Sequence, residues 1–155
     1  MRGVYTATID IANLEINKTL IYFETPSSMC VEILGAYVTN RSLATNQQFE
    51  IAIMTNIIPQ TTPTGTTIVP VPTESYSGTT NLLNVLGDIT ANEPDYSSAY
   101  TLHKEGSSAI IGFNYDPIPE CRHIVGPSKM CGIILTADMA TAFDATIEII
   151  YREIG

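Results

Sequence analysis

The chain contains no tryptophan, and only 15% of its 155 residues are charged. Lys and Arg number 7 against 16 Asp and Glu, a formal charge of −9. A phosphate backbone repels such a protein, and no basic cluster can release counterions, so nucleic acid is not an expected partner. An anionic membrane surface is excluded on the same ground. No apolar run approaches the roughly 20 residues a membrane-spanning helix needs. Met1-Arg2-Gly3-Val4-Tyr5 enters an alternating pattern at once, which leaves no room for a secretory signal and predicts synthesis in a cytoplasm. Cys30, Cys121 and Cys131 make an odd number without C-x-x-C spacing, unlike a disulfide framework.

Catalytic constellations are missing too. The only histidines are His103 and His123, and there is no G-x-S-x-G elbow or Gly-rich phosphate loop. Nucleophilic catalysis needs a base beside the nucleophile. Cys121-Arg122-His123, with Cys131 and Cys30, would supply zinc ligands only if the fold gathered them. No paired spacing accompanies them, and free thiols commonly act as small core hydrophobes. A glycosidase needs two carboxylates, but tryptophan to stack on sugar rings is missing. Two histidines are too few for a cupin-like metal centre. The expectation is a non-enzyme with no catalytic, cofactor-binding or metal-binding residue.

What is present is a period of two. Tyr5, Ala7, Ile9 and Ile11 alternate with Thr6, Thr8 and Asp10, as in a half-buried strand. Further strands are expected near 19–24, 30–40, 49–54, 99–104, 109–115, 131–136 and 145–154, with a short edge strand within 120–125. The segment 30–40 is apolar on both faces, which suits the middle of a sandwich or a subunit contact. Residues 57–80 carry four prolines and two glycines. These exclude a central strand and a helix. Yet Ile57, Ile58, Ile68, Val69 and Val71 are too apolar for a free linker, so an extended Pro/Thr-rich arm or loop insertion is expected. A short helical turn is predicted over Asn81–Leu86, stopped by Gly87. The reading is one all-β domain over 1–155, a β-sandwich of jelly-roll-like form with about eight strands.

The chain opens Met1-Arg2-Gly3 with Tyr5-Thr6-Ala7. It carries Gly65-Thr66-Thr67 leading to Val69-Pro70-Val71-Pro72, then Thr101-Leu102-His103-Lys104 and Gly112-Phe113. Pro117-Ile118-Pro119-Glu120 with Arg122 follows, and the close is Arg152-Glu153-Ile154-Gly155. In that order the motifs resemble small proteins encoded among the head genes of tailed bacteriophages, which look like capsid decoration (cement) proteins. The resemblance spans nearly the whole chain and departs at Cys121 and Cys131. It implies a virion structural protein on the outer capsid surface, often a homotrimer, bound to the major capsid protein. Candidate contacts are Arg2, Val4 and Tyr5 at the N-terminus, Ile68, Val69 and Val71 in the arm, and His103. The alternative is a carbohydrate-binding or fibre-associated β-sandwich module, since jelly rolls host lectins as readily as capsid proteins.

Overall fold

A computed structural model describes residues 3–42, 46–55, 62–74 and 78–155. In chain order the strands are β1 (Val4–Leu14), β2 (Lys18–Glu24), β3 (Cys30–Asn40), β4 (Gln48–Thr55), β5 (Thr64–Thr67) and β6 (Val71–Pro72). Then come β7 (Leu83–Ala91), β8 (Tyr100–Ser108), β9 (Phe113–Tyr115), β10 (Ile124–Val125), β11 (Met130–Leu135) and β12 (Phe143–Ile154). A single 3-10 turn, Pro119–Cys121, separates β9 from β10.

The strands form two antiparallel sheets. The first runs β10-β3-β12-β1-β6, with β9 beside β10 on the free edge of β3. The second runs β5-β7-β2-β11-β4-β8. Alternation decides which side chains enter the space between them. Along β12, Phe143, Ala145, Ile147, Ile149 and Tyr151 are buried and the intervening residues only partly so. They meet Ile21 and Phe23 of β2, Ile51 and Ile53 of β4, and Cys131, Ile133 and Leu135 of β11 in one core.

The two outer faces differ. Strands β7 and β8 lie near opposite edges of the second sheet, so residues 92–99 must cross its outer face. There Glu93 accepts hydrogen bonds from the Thr19 amide (3.1 Å) and hydroxyl (2.5 Å). The covered residues Tyr22, Ala52 and Ile134 are buried although they point away from the core. No described segment crosses the outer face of the first sheet. Its cover is local: the Tyr37 ring lies over Gly35, where an added Cβ would be 2.7 Å from Tyr37 Oη.

Several expectations are corrected. Residues 83–91 form β7 rather than a helical turn. Leu82, Leu83, Val85 and Leu86 have helical spacing, but buried Val85, Gly87 and Ile89 continue with period two. Asn84 and Asp88, at φ 48° and 50°, supply left-handed backbone where this strand is irregular. The expected strand 109–115 shortens to β9, because the Ser108 carbonyl accepts from Ile111 N and Gly112 N and closes a turn. Gly112 takes φ +78° there. The expected edge strand 120–125 is the end of the 3-10 turn followed by β10. Residues 57–61 and 75–77 of the Pro/Thr-rich segment lie outside the described residues. In the described part β5 pairs with β7 and β6 with β1.

Candidate interaction surface

Register assigns each strand terminus to one end of the two sheets. Val4, Glu24, Cys30, Thr55, Leu83, Tyr100, Met130 and Ile154 lie at one end. Leu14, Lys18, Asn40, Gln48, Ser108, Leu135 and Phe143 lie at the other.

The loops at the second end hold one another through polar contacts. Asn17 N donates to Asp138 Oδ1 at 2.7 Å, and Asn17 Nδ2 to the Thr136 carbonyl at 3.1 Å. Gln47 and Thr141 exchange two hydrogen bonds across the β3–β4 and β11–β12 loops. Asp144 accepts from Asn13 N, and Arg41 pairs with Asp10 at 2.9 Å. We call this the polar end.

At the first end Leu83, Tyr100 and Ile154 are exposed beside polar residues such as Ser27, Ser28, Ser128 and Lys129. Among the described residues ten large hydrophobic side chains are exposed; three lie at this end and four on the opposite β6 and β10 edges of the first sheet. Val69 and Val71 lie in and beside β6, Leu83 opens β7 and Tyr100 opens β8. Ile118 and Ile124 flank the 3-10 turn, and Ile154 closes β12. Ile16, Ile110 and Ile111 are at the polar end. We call the first end, with Leu83, Tyr100 and Ile154, the apolar end.

Packing and hydrogen bonds hold the segment beside it. Segment 68–72 alternates, with Ile68 and Pro70 buried and Val69 and Val71 at 81% and 63% exposure. Ile68 N donates to the Val85 carbonyl at 2.9 Å, which ties the segment down. Pro70 and Pro72 have no N–H, so this edge cannot pair with a further strand and presents side chains instead. Behind it, the fully buried Glu153 carboxylate accepts from Thr80 Oγ1 (2.7 Å), Asn81 N (2.6 Å) and Asn81 Nδ2 (2.8 Å). The Tyr151 hydroxyl lies 2.8 Å from Thr80 Oγ1, and Tyr5 Oη donates to the Thr79 carbonyl at 3.4 Å.

The sequence-based candidates separate on this frame. Arg2 lies outside the described residues. Val4 is half-buried on the outer face of the first sheet, opposite Arg152. Tyr5 is buried and stacks on Tyr151 at 5.6 Å. Ile68 is a core residue, so in the 68–72 segment it anchors while Val69 and Val71 project. His103 sits at the edge strand β8, 4.7 Å from the Tyr115 ring, with Nε2 3.3 Å from Glu105. It is not grouped with the others. The thiols are dispersed: Cys30 is half-buried, Cys121 exposed and Cys131 buried. Burial pushes the Cys131 thiol up to about 12. No cluster of three metal-ligating side chains occurs among the described residues.

Two features escaped the sequence reading. Glu153 continues the inward parity of Ile147, Ile149 and Tyr151, and that parity was its only signal. On the outer face of the first sheet, Arg152 Nε donates to Glu32 Oε2 at 2.8 Å, and Arg122 Nη1 lies 3.6 Å from Glu32 Oε1. Nothing local in the sequence links residues 32, 122 and 152. Comparison with known proteins is negative throughout: no family model, no curated protein and no solved structure matches the chain.

Proposed function

We propose that this chain is a virion structural protein, a decoration or cement protein that seats its apolar end on the outer capsid of a tailed bacteriophage. It ties adjacent major-capsid subunits together by passive binding, as a homotrimer, without catalysis. The observation that carries this reading is the pair of exposed side chains Val69 and Val71, held out from a segment whose Ile68 and Pro70 are buried. The motif resemblance supplies the partner. Val69 and Val71 are the leading contacts, held by a segment that loses little entropy on docking.

The strand pairing supports a jelly roll. With β5, β6 and β7 set aside as an insertion, and β9 with β10 taken as one strand, eight strands remain. The first then pairs with the eighth (β1·β12), the second with the seventh (β2·β11), the third with the sixth (β3·β9/β10) and the fourth with the fifth (β4·β8). That is one long antiparallel ribbon wrapped on itself, closed by β12·β3 and β11·β4.

A ligand that binds only the assembled shell stabilises it by mass action, and a trimer multiplies weak contacts through effective concentration. The test is cosedimentation of the purified protein with expanded heads lacking decoration, together with the heads' heat resistance. Wild type is expected to bind and protect, and the Val69→Asp/Val71→Asp double variant to bind poorly while remaining folded. Wild-type protein that ignores such heads overturns the reading. Light scattering checks the trimer, at three times 16.8 kDa.

A further inference from the structure

The Glu32–Arg122–Arg152 triad is a place where cations outnumber acids on a chain of charge −9. Glu32 is buried on the outer face of the first sheet, in a row that runs Ile124, Glu32, Arg152, Val4 from the β10 edge towards β1. Arg152 places both Nε and Nη2 on one Glu32 oxygen, Oε2. That contact balances the carboxylate. Arg122 reaches the other oxygen only through Nη1, at 3.6 Å, beyond a good hydrogen bond. Its Nε is shut off from solvent and has no acceptor among the described residues. One guanidinium charge is therefore left over at Glu32, whose cross-strand partner Ile124 is 59% exposed.

We propose that Arg122 is the polar anchor of the apolar end and takes a carboxylate, an Asp or Glu side chain, from the shell subunit on which that end seats. This rests on the cement reading and adds the chemistry of the partner. A guanidinium fork matches a carboxylate in geometry. Arg is enriched at the energetic centres of interfaces. Polyanions are disfavoured as occupants because the remaining acidic surface repels them. Arg152 and Glu32 act as positioning residues, since the carboxylate they share keeps the Arg122 stem on the sheet.

The experiment measures binding of wild type, Arg122→Gln and Arg122→Lys to expanded, undecorated heads over a series of NaCl concentrations. Thermal unfolding and light scattering are recorded for each protein. Wild-type affinity is expected to fall as salt rises, because the pair lies where ions can screen it. R122Q should bind about tenfold or more weakly at low salt, with a flattened salt dependence. R122K keeps the charge and the stem but not the fork, so it should retain the salt dependence and bind more weakly than wild type but more tightly than R122Q. If R122Q binds as wild type does, or R122K loses the salt dependence, the anchor is overturned and the cement reading stands. If R122Q lowers the oligomer mass, the carboxylate belongs to a second copy and the proposal also falls. If wild type binds no heads at any salt, both fall.

Discussion

At the polar end, loops from four parts of the chain close on one another. Asn17 is held by Asp138 and Thr136, and Gln47 by Thr141. At the apolar end, internal bonding is hidden one layer down. Glu153, Tyr151 and Tyr5 grip residues 79–81 from beneath, and the side chains facing outward are Val69, Val71 and Leu83. The β6 edge beside the apolar end adds Val69 and Val71, the first at 81% exposure, to the apolar surface. Rigidity with exposed apolar groups is what a docking surface requires, because little order is then lost on binding. A loop end without a partner is instead expected to satisfy itself.

The comparison can be stressed most strongly with alkali. Burial raises Cys131 from 9.0 to about 12 and holds Tyr22, Tyr96 and Tyr151 above the ordinary tyrosine range. Each keeps its proton in the fold at a pH where the unfolded chain has released it. The stabilisation is complete below the unfolded values and is lost as pH rises through the folded ones. Unfolding free energy should therefore fall from about pH 9 upwards, by about 4 kcal/mol from Cys131 alone near pH 12. Cys131 and Tyr151 lie in the apolar-end halves of β11 and β12. Urea unfolding at stepped pH measures the loss, and hydrogen exchange should show that half opening first.

Next in size is Glu153→Ala. It leaves the Thr80 and Asn81 donors without their acceptor and should cost about 3 kcal/mol in denaturant unfolding. Glu153→Gln, which keeps a carbonyl, should lose less. Loss of Val69/Val71-dependent binding in E153A at temperatures where it is folded would show that the clamp positions the surface.

At the polar end the most sensitive position is Gly112. An alanine would hold φ +78° with its Cβ 2.5 Å from the Val38 carbonyl oxygen. Gly112→Ala should cost about 2 kcal/mol in thermal or urea melts. It should leave head binding unchanged. Gln47→Ala removes both bonds to Thr141 and should cost about 1 kcal/mol by the same assay, again without affecting binding. Smallest in stability are Val69→Ser and Val71→Ser, expected within about 0.5 kcal/mol of wild type because both side chains already face solvent. Their effect should appear in binding alone. A polar-end variant that abolishes binding while folded would reverse the assignment of the ends.

Much of the strand set was legible residue by residue. The segment 30–40 was expected as a strand apolar on both faces, and β3 spans Cys30–Asn40 between β12 and the β9/β10 edge. Its inner residues Val31, Ile33, Ala36 and Val38 reach the core, while Leu34 and Tyr37 lie on the uncovered face. Strand β7 was missed because its irregular backbone breaks strict alternation and the leucines at 82, 83 and 86 have helical spacing. The turn at 109–112 was missed because Ile110 and Ile111 look like strand residues. Only the Ser108 carbonyl, Gln47 and Gly112 together close it. Among the proposed contacts, Ile68 and Val69 are indistinguishable in sequence, and packing against β7 turns one inward and leaves the other out.

The sequence by itself determined the class of structure. Period-two alternation, proline in 57–80 and the lack of helical periodicity leave few options other than antiparallel strands, because side-chain direction along a strand is a local property of the backbone. It also determined the net charge. Only the tertiary structure decided which exposed side chains share an end. It also decided that residues 92–99 cover one outer face and that Glu32, Arg122 and Arg152 meet. Those facts depend on contacts between segments some 30 to 120 residues apart, set by strand order and register, and no local pattern encodes them.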